Sequence, residues 1–393
     1  MQCTICKNND FEQVYRILEN SITSDSLFID KKISNLICKS CGHVFNEYGS
    51  RNETIDFFST KYKLHEETKD AEFKFFSNDG KSITHQDIRL SLLKNNTQLP
   101  ITGKILDLGC GKGNFLSAFS KKYPHWEIYG VEISDSACNI AKNNISKLHL
   151  HQGHFTKKVF NNLEFDLIVS HGVLEHLEHP DFFLKDASSK LKKDGLFFFE
   201  VPNFKLNPSD LYTFDHLSHF TKETFENLLN TNHIQIIKIF DSMTQISLYS
   251  ICKHTKEEIP FKNYYSFMKN LVDDHIKFNE SFFNLYESIC KKFKNIGIFG
   301  LGLIGLSAIQ NSKLHKNQIK LFFDENDLLV GTKKLGIKII HLNDLQYYES
   351  LPITISASPC YIFNMITKLK QFKIKFFVPD EYQYYKKYFP STT

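Results

Sequence analysis

Three groups of residues in this 393-residue chain have types and spacings that suit chemistry. The first is a pair of Cys-x-x-Cys steps, Cys3 with Cys6 in "CTIC" and Cys38 with Cys41 in "CKSC". Four thiolates in two close pairs complete a tetrahedral shell around zinc and leave no position open, so the metal expected here is structural. A redox pair, or four cysteines with no common role, is the competing reading. The second group is histidine-rich. "HGVLEHLEHP" brings His171, Glu175, His176 and His179, and "LYTFDHLSHFT" brings Tyr212, Asp215, His216 and His219. Imidazole changes charge near neutral pH, which suits it to take a proton from an attacking atom. His176 and His216 are the candidate bases, and packing or plain hydrogen bonding is the alternative for each. The third group is two glycine turns, "DLGCGKG" from Asp107 and "GLGLIG" from Gly300.

The two turns differ in charge. The second spells G-x-G-x-x-G through Gly300, Gly302 and Gly305, with Asp324 at the tip of the next strand, the formal pattern of a dinucleotide site. The first has an acid ahead of its glycines. Asp107 repels a phosphate and welcomes an ammonium group. Glu132, at the tip of the following strand, can accept both hydroxyls of a ribose. A nucleoside with positive charge and no phosphate fits that pair, as S-adenosylmethionine does.

The elements that must position these residues alternate. "KILDL" reads as a buried strand, "NFLSAFSKKY" as an amphipathic helix stopped by Pro124, and "WEIYGVEIS" as a second strand. "DIRLSLLKNN" has helical spacing and forms a lead-in. "SFMKNLVDDHIKFNESFFNLYESICKKF" is a helical linker, and "NIGIFGLGLIGLSAIQ", "KLFFDEND" and "LPITISAS" continue an α/β pattern. The organisation predicted is a zinc module over 1–50, a helical lead-in over 51–99, a central domain over 100–255, a linker over 256–295 and a smaller Rossmann-like domain over 296–393.

Composition narrows the partners. Lys and Arg number 48 and Asp and Glu 44, a net charge of +4 that is too balanced to argue for nucleic acid. Arginine, the usual planar fork for phosphate, occurs only as Arg16, Arg51 and Arg89. No apolar run approaches the ~18 residues of a membrane helix. The first residues do not form a secretory signal, and nine scattered cysteines suit a reducing compartment, so the expected address is the cytoplasm.

On the turn at Asp107, the acid at Glu132 and "FDLIVSHGVLEHLEHPDFFLKDASSKLKKDGLFFFEVPNF", residues 100–255 resemble the class I S-adenosylmethionine-dependent methyltransferases. "LKKDG" then reads as the turn into strand five. The resemblance implies that Asp107, Gly109 and Gly111 cradle the methionine part and ribose. It implies that Glu132 holds the ribose hydroxyls and Ile133 flanks the adenine. His154 stands where the family often has an Asp for the adenine amine, Phe155 can stack on the ring, and Ser170 and His171 line the reactive end. Taken with the cysteine module and the second glycine turn, the chain is similar to sugar C-methyltransferases, which act on nucleotide-linked keto sugars. That family has a strand-four motif like "GVLEH", ending here in His176. Its Tyr-His-Glu-His type stretch is matched here by "TFDHLSHF", with Asp215 as the acid, His216 as the final His, Thr213 in place of the Tyr and Tyr212 next door. Phe75 or Phe76 replaces an upstream Tyr. The acceptor implied is a nucleotide-linked sugar or a surface-saccharide precursor, methylated on carbon or oxygen. Alternatives are a non-sugar metabolite, and a bifunctional protein with an NAD-binding C-terminal domain. In the simplest reading, the second turn serves close helix–strand packing in a domain that shapes the substrate cleft.

Overall fold

A computed structural model describes residues 1–48, 57, 74–76, 82–241, 246–311, 316–327, 329–379 and 382. At its centre is a seven-stranded sheet. Its elements in chain order are β1 (Gly103–Leu108), α1 (Asn114–Lys122), β2 (Trp126–Glu132), α2 (Asp135–Asn144), β3 (Leu148–Gln152), β4 (Phe165–His171), α3 (Pro180–Ser188), β5 (Leu191–Pro202), β6 (Ile234–Phe240) and β7 (Ser247–His254). The strand order is 3-2-1-4-5-7-6. β1 to β5 run parallel, and β7 and β6 close the edge antiparallel. The inner strands are near-continuous apolar runs because helices cover both faces. Ile105, Leu106, Leu167, Ile168, Val169, Phe197, Phe198 and Phe199 are all fully buried. The order reverses between β1 and β4, the position where an open α/β sheet leaves a crevice for a ligand.

"LKKDG" is not a turn. β5 already begins at Leu191, which pairs with Phe165, and the register shifts so that Leu196 pairs with Leu167. The glycine therefore sits in an irregular stretch of strand, pressed against Phe165 and Leu191.

The lead-in helix spans His85–Asn96 and starts with a capping box between Thr84 and Asp87. Before it, Lys74–Phe76 pairs with Ser82–Thr84. The side chains of Phe75 and Phe76, and most of 51–81, lie outside the described residues.

The N-terminal sheet is built from Phe11–Ile17, Ile33–Cys38 and Val44–Asn46, all antiparallel. Its fourth strand comes from far along the chain: Ser218–His219 pairs with Phe45 and Val44. The module is thus completed by the loop that follows β5.

The linker is one helix of 28 residues, Tyr265–Lys292. Its first half buries Met268, Leu271 and Val272 with Ile37, Val44, Phe204 and Leu211. Its second half sends Phe278, Phe282, Tyr286 and Ile289 into the C-terminal core. One helix therefore belongs to two cores and fixes the C-terminal domain against the rest.

In that domain Ile296–Phe299 lies between Ile319–Asp324 and Ile353–Ile355, parallel to both. The G-x-G-x-x-G turn is closed by the neighbouring segment. A Cβ at Gly300 would stand 2.7 Å from the Ser356 carbonyl oxygen, and one at Gly305 would stand 1.7 Å from Ser356 Oγ. The Gly302 amide donates to the Ser356 carbonyl at 3.2 Å. Asp324 accepts from the Asn326 amide at 2.9 Å, holding its own turn.

Candidate functional site

A cleft of about 970 Å³ opens at the switch point, above the carboxyl ends of β1, β2, β4 and β5. Three layers of the molecule contribute walls. The central domain supplies most of them, Ser24 comes from the N-terminal module, and Leu303, Ser358 and Tyr361 come from the C-terminal domain.

The floor is the first glycine turn. Gly109, Gly111 and Gly113 all have positive φ, at +82°, +53° and +74°. Such angles strain residues with a Cβ. At Gly109 a Cβ would also strike Val173 at 2.4 Å, whereas nothing lies within 4 Å of one at Gly111, which faces open space. Asp107, at the end of β1, is 2% exposed, and its Oδ1 has no hydrogen-bond partner. Burial lifts its carboxyl to about 7, against the pull of the Arg89 charge and with a further push from Glu132. An ammonium group placed here would satisfy the oxygen and offset the burial.

Glu132 is held by the backbone around it. Its Oε2 accepts from the Gly111 amide, and its Oε1 accepts from the Ile133 and Ser134 amides, each at 2.8 Å. The carboxylate is thereby aimed across the turn. Ile133, His154 and Phe155 line the same wall. Phe155 packs edge-on to Phe183 at 5.5 Å.

His171 lines the cleft between Phe115 and Phe198, at 4.7 and 5.3 Å between ring centres. Burial drives its pKa well below the ordinary imidazole value, and the Arg89 charge adds to that. It is a neutral group at physiological pH. Ser170 points the other way: it is buried and donates to the Leu108 carbonyl at 3.0 Å, tying β4 to β1 rather than lining the cleft.

The histidine end is a buried polar network. His176 Nδ1 donates to the Asp215 carbonyl oxygen at 2.7 Å. His216 Nδ1 lies 2.5 Å from Asp210 Oδ1, and the other Asp210 oxygen is 2.8 Å from His219 Nδ1. His219 Nε2 lies 3.2 Å from Asn35 Oδ1 in the N-terminal sheet. Asp215 is fully buried and accepts from the Ser24 amide at 2.7 Å and its hydroxyl at 2.5 Å. The two imidazoles of His176 and His216 meet edge to face, 4.8 Å apart. Glu175, His176 and His216 all face the cleft.

Tyr212 stands apart from this network. It is 2% exposed and packs edge-on to Tyr15 at 5.3 Å, within the core shared with the C-terminal domain. It does not reach the cleft wall, although Thr213, Phe214 and Asp215 carry the chain from it towards His216.

Several groups at the site carry no sequence motif. Arg89 lies in the cleft wall and is bound to Glu200, with Nε 2.6 Å from Oε2. Its rarity, one of three arginines, was the available signal. Asn35 and Ser24 carry no motif, because their roles come from contacts with a distant segment, and Asp210 takes its role from His216 and His219 a few residues on in the same loop.

The four cysteines converge. Cys3 Sγ is 3.6 Å from Cys41 Sγ, Cys6 Sγ is 3.4 Å from Cys38 Sγ, and all four lie within 4.8 Å of one another. A zinc tetrathiolate with ~2.3 Å bonds has sulfur–sulfur edges of about 3.8 Å, so the donor set fits that ion. His43 Nδ1 is 3.8 Å from Cys3 Sγ, and its ring stacks on Phe220, which is part of the central core.

Comparison with known proteins bears on the central part of the chain. Residues 81–238 match the family model described as a methyltransferase domain. The ubiquinone biosynthesis O-methyltransferase of Coxiella burnetii is 30% identical over 122 residues, 30% of this chain and 50% of that one. Pavine N-methyltransferase of Thalictrum flavum is 21% identical over 223 residues, 55% of this chain and 63% of that one. The chain thus spans about half the length of the first of these relatives. An S-adenosylmethionine-dependent methyltransferase structure from Clostridium acetobutylicum aligns with a TM-score of 0.36 at 17% identity, over 43% of this chain and 89% of that one. The central domain has the class I S-adenosylmethionine-dependent methyltransferase fold.

Proposed function

We propose that the chain is an S-adenosylmethionine-dependent methyltransferase for a small molecule, with a nucleotide-linked sugar or surface-saccharide precursor as the favoured acceptor. The observation that carries the reading is the cleft edged by Asp107 and Glu132 at the switch point of the sheet. Asp107 takes the ammonium of the methionine part, Gly109 and Gly111 let the ligand approach the backbone, and Glu132 takes the ribose hydroxyls. Ile133, His154 and Phe155 surround the adenine, and His171 flanks the sulfonium. Ser170 acts from behind, by fixing β4 on β1.

The cofactor brings its own leaving group, so the protein's task is alignment and removal of the acceptor's proton. His176 and His216, oriented by the Asp215 carbonyl and by Asp210, stand where the acceptor meets the methyl group. Asp215 is a positioning residue in this reading, and Tyr212 supports the chain behind it. The acceptor's far end reaches Leu303, Ser358 and Tyr361, which suits an elongated substrate such as a nucleotide sugar. The alternative that this far wall holds NAD is disfavoured, because the glycines of the second turn are already packed against Ser356. A zinc ion held by Cys3, Cys6, Cys38 and Cys41 staples the N-terminal module. Residence in the cytoplasm accords with the free thiols; among the described residues no helix is long and apolar enough to cross a membrane.

Calorimetric titration of the purified chain with S-adenosylmethionine and, separately, with NAD tests the cofactor assignment. One binding site for the methyl donor and none for NAD is the expected result. Binding of NAD alone would transfer the assignment to a redox function.

A further inference from the structure

We propose that Glu175, His176 and His216 form a second metal site, distinct from the cysteine cluster, for a divalent first-row transition ion at the acceptor end of the cleft. Each offers one ligand atom, and these lie within 4.8 Å of one another. The existence of the site rests on this geometry alone; its use in catalysis rests on the reading of the cleft given above.

Three features support it. First, each imidazole has its Nδ1 engaged by an outer acceptor, the Asp215 carbonyl for His176 and Asp210 for His216. Metal-bound histidines are nearly always oriented in this way, and the carboxylate–histidine pair also strengthens the ligand. Asp210 is itself fixed by His219 on its other oxygen. Second, Glu175 is only 3% exposed, yet its Oε2 has no hydrogen-bond partner. A buried carboxylate oxygen left unpaired costs the full desolvation of that group, which a cation would offset. Third, the cluster is open on one side. All three residues line the cleft, so three protein ligands leave room for oxygens of a bound acceptor.

Two nitrogens and one carboxylate oxygen suit Mn2+, Fe2+, Co2+ or Zn2+ over Mg2+ or Ca2+, which prefer all-oxygen shells. The soft four-sulfur cluster in the N-terminal module retains zinc. With the ion bound, His176 and His216 would serve as its ligands and not as bases: the ion would bind an acceptor hydroxyl and lower its pKa, so that the proton leaves to water. The resulting oxygen would form the new bond to the methyl carbon as the carbon–sulfur bond breaks, and the sulfonium would become a neutral thioether. An acceptor with two adjacent oxygens would occupy two of the open positions.

The probe is Mn2+, titrated into the full chain with its zinc retained and followed by electron paramagnetic resonance. The wild type is expected to take up about one Mn2+ per chain, with nitrogen couplings from imidazole in the pulsed spectrum. Glu175→Gln and His216→Ala should each lose at least about tenfold in Mn2+ affinity. Both should keep their zinc and still bind S-adenosylmethionine. No uptake at millimolar Mn2+, or undiminished uptake by both variants, overturns the proposal. Should a variant fail to fold, the wild-type spectrum decides: bound Mn2+ without nitrogen coupling also overturns it. A chain that binds Mn2+ as expected but no S-adenosylmethionine would instead remove the methyl-transfer reading and leave the metal site standing.

Discussion

In the proposed reading, Asp107 is the residue on which recognition of the cofactor turns. Its carboxyl sits near 7 because burial opposes its charge more strongly than Arg89 favours it. An unperturbed Asp titrates near ~3.9, so between that value and about 7 the folded chain holds a proton that the unfolded chain has lost. Stability of the ligand-free protein therefore falls as pH rises through this window. Cofactor binding runs the other way, since an ammonium group needs the ionised carboxylate. Affinity for S-adenosylmethionine should rise as pH is raised from 6 to 8. Asp107→Asn should weaken binding by roughly 1.5–3 kcal/mol and flatten the profile, as read by calorimetry across that range. A steep profile retained in Asp107→Asn would assign the titration to another group. Asp107 and Glu132 were legible in the sequence because their positions are fixed locally, by a glycine turn and a strand tip. Arg89 was not, because its role comes from Glu200 on a distant strand, and Asp210 was not, because its partners His216 and His219, a few residues on in the same loop, stand at no motif spacing from it.

Among elements, the second glycine turn is the instructive one. It has the pattern of a dinucleotide site, and its glycines allow the helix at Leu303–Asn311 to press on Ser356. Gly305→Ala should lower the melting temperature, since overpacking a tight contact costs about 1–3 kcal/mol. It should leave affinity for S-adenosylmethionine unchanged, because the first turn belongs to a different sheet. Loss of that affinity with the melting temperature preserved would contradict the packing role. Strands of the central sheet were legible as apolar runs between glycines and prolines. The start of β5 reads as a turn in the sequence because "KKDG" is polar. Its residues lie in a register shift where the strand leaves the sheet's regular pairing. The pairing of Ser218–His219 with Val44 and Phe45 could not be read at all, since nothing local marks a two-residue strand whose partner lies far along the chain.

At the scale of the whole molecule, three parts build one cleft. From the sequence, a metal-binding module, a catalytic core and a terminal domain were expected in that order. Their interdependence was not. Ser24 of the N-terminal module fixes Asp215, and Asn35 contacts His219, so the module braces the histidine end of the cleft instead of merely preceding it. The helix Tyr265–Lys292 joins two cores and brings Ser358 and Tyr361 to the same cleft. The central claim is that this joint cleft transfers a methyl group from S-adenosylmethionine to a small acceptor. It is tested most directly by incubating the full chain with isotopically labelled methyl donor and a panel of nucleotide sugars and hydroxylated metabolites, followed by mass analysis. The account predicts one acceptor that gains a single labelled methyl group, with S-adenosylhomocysteine formed in equal amount. Donor bound in the cleft while no acceptor of either class gains the label, or an acceptor altered by hydride transfer instead, would contradict it.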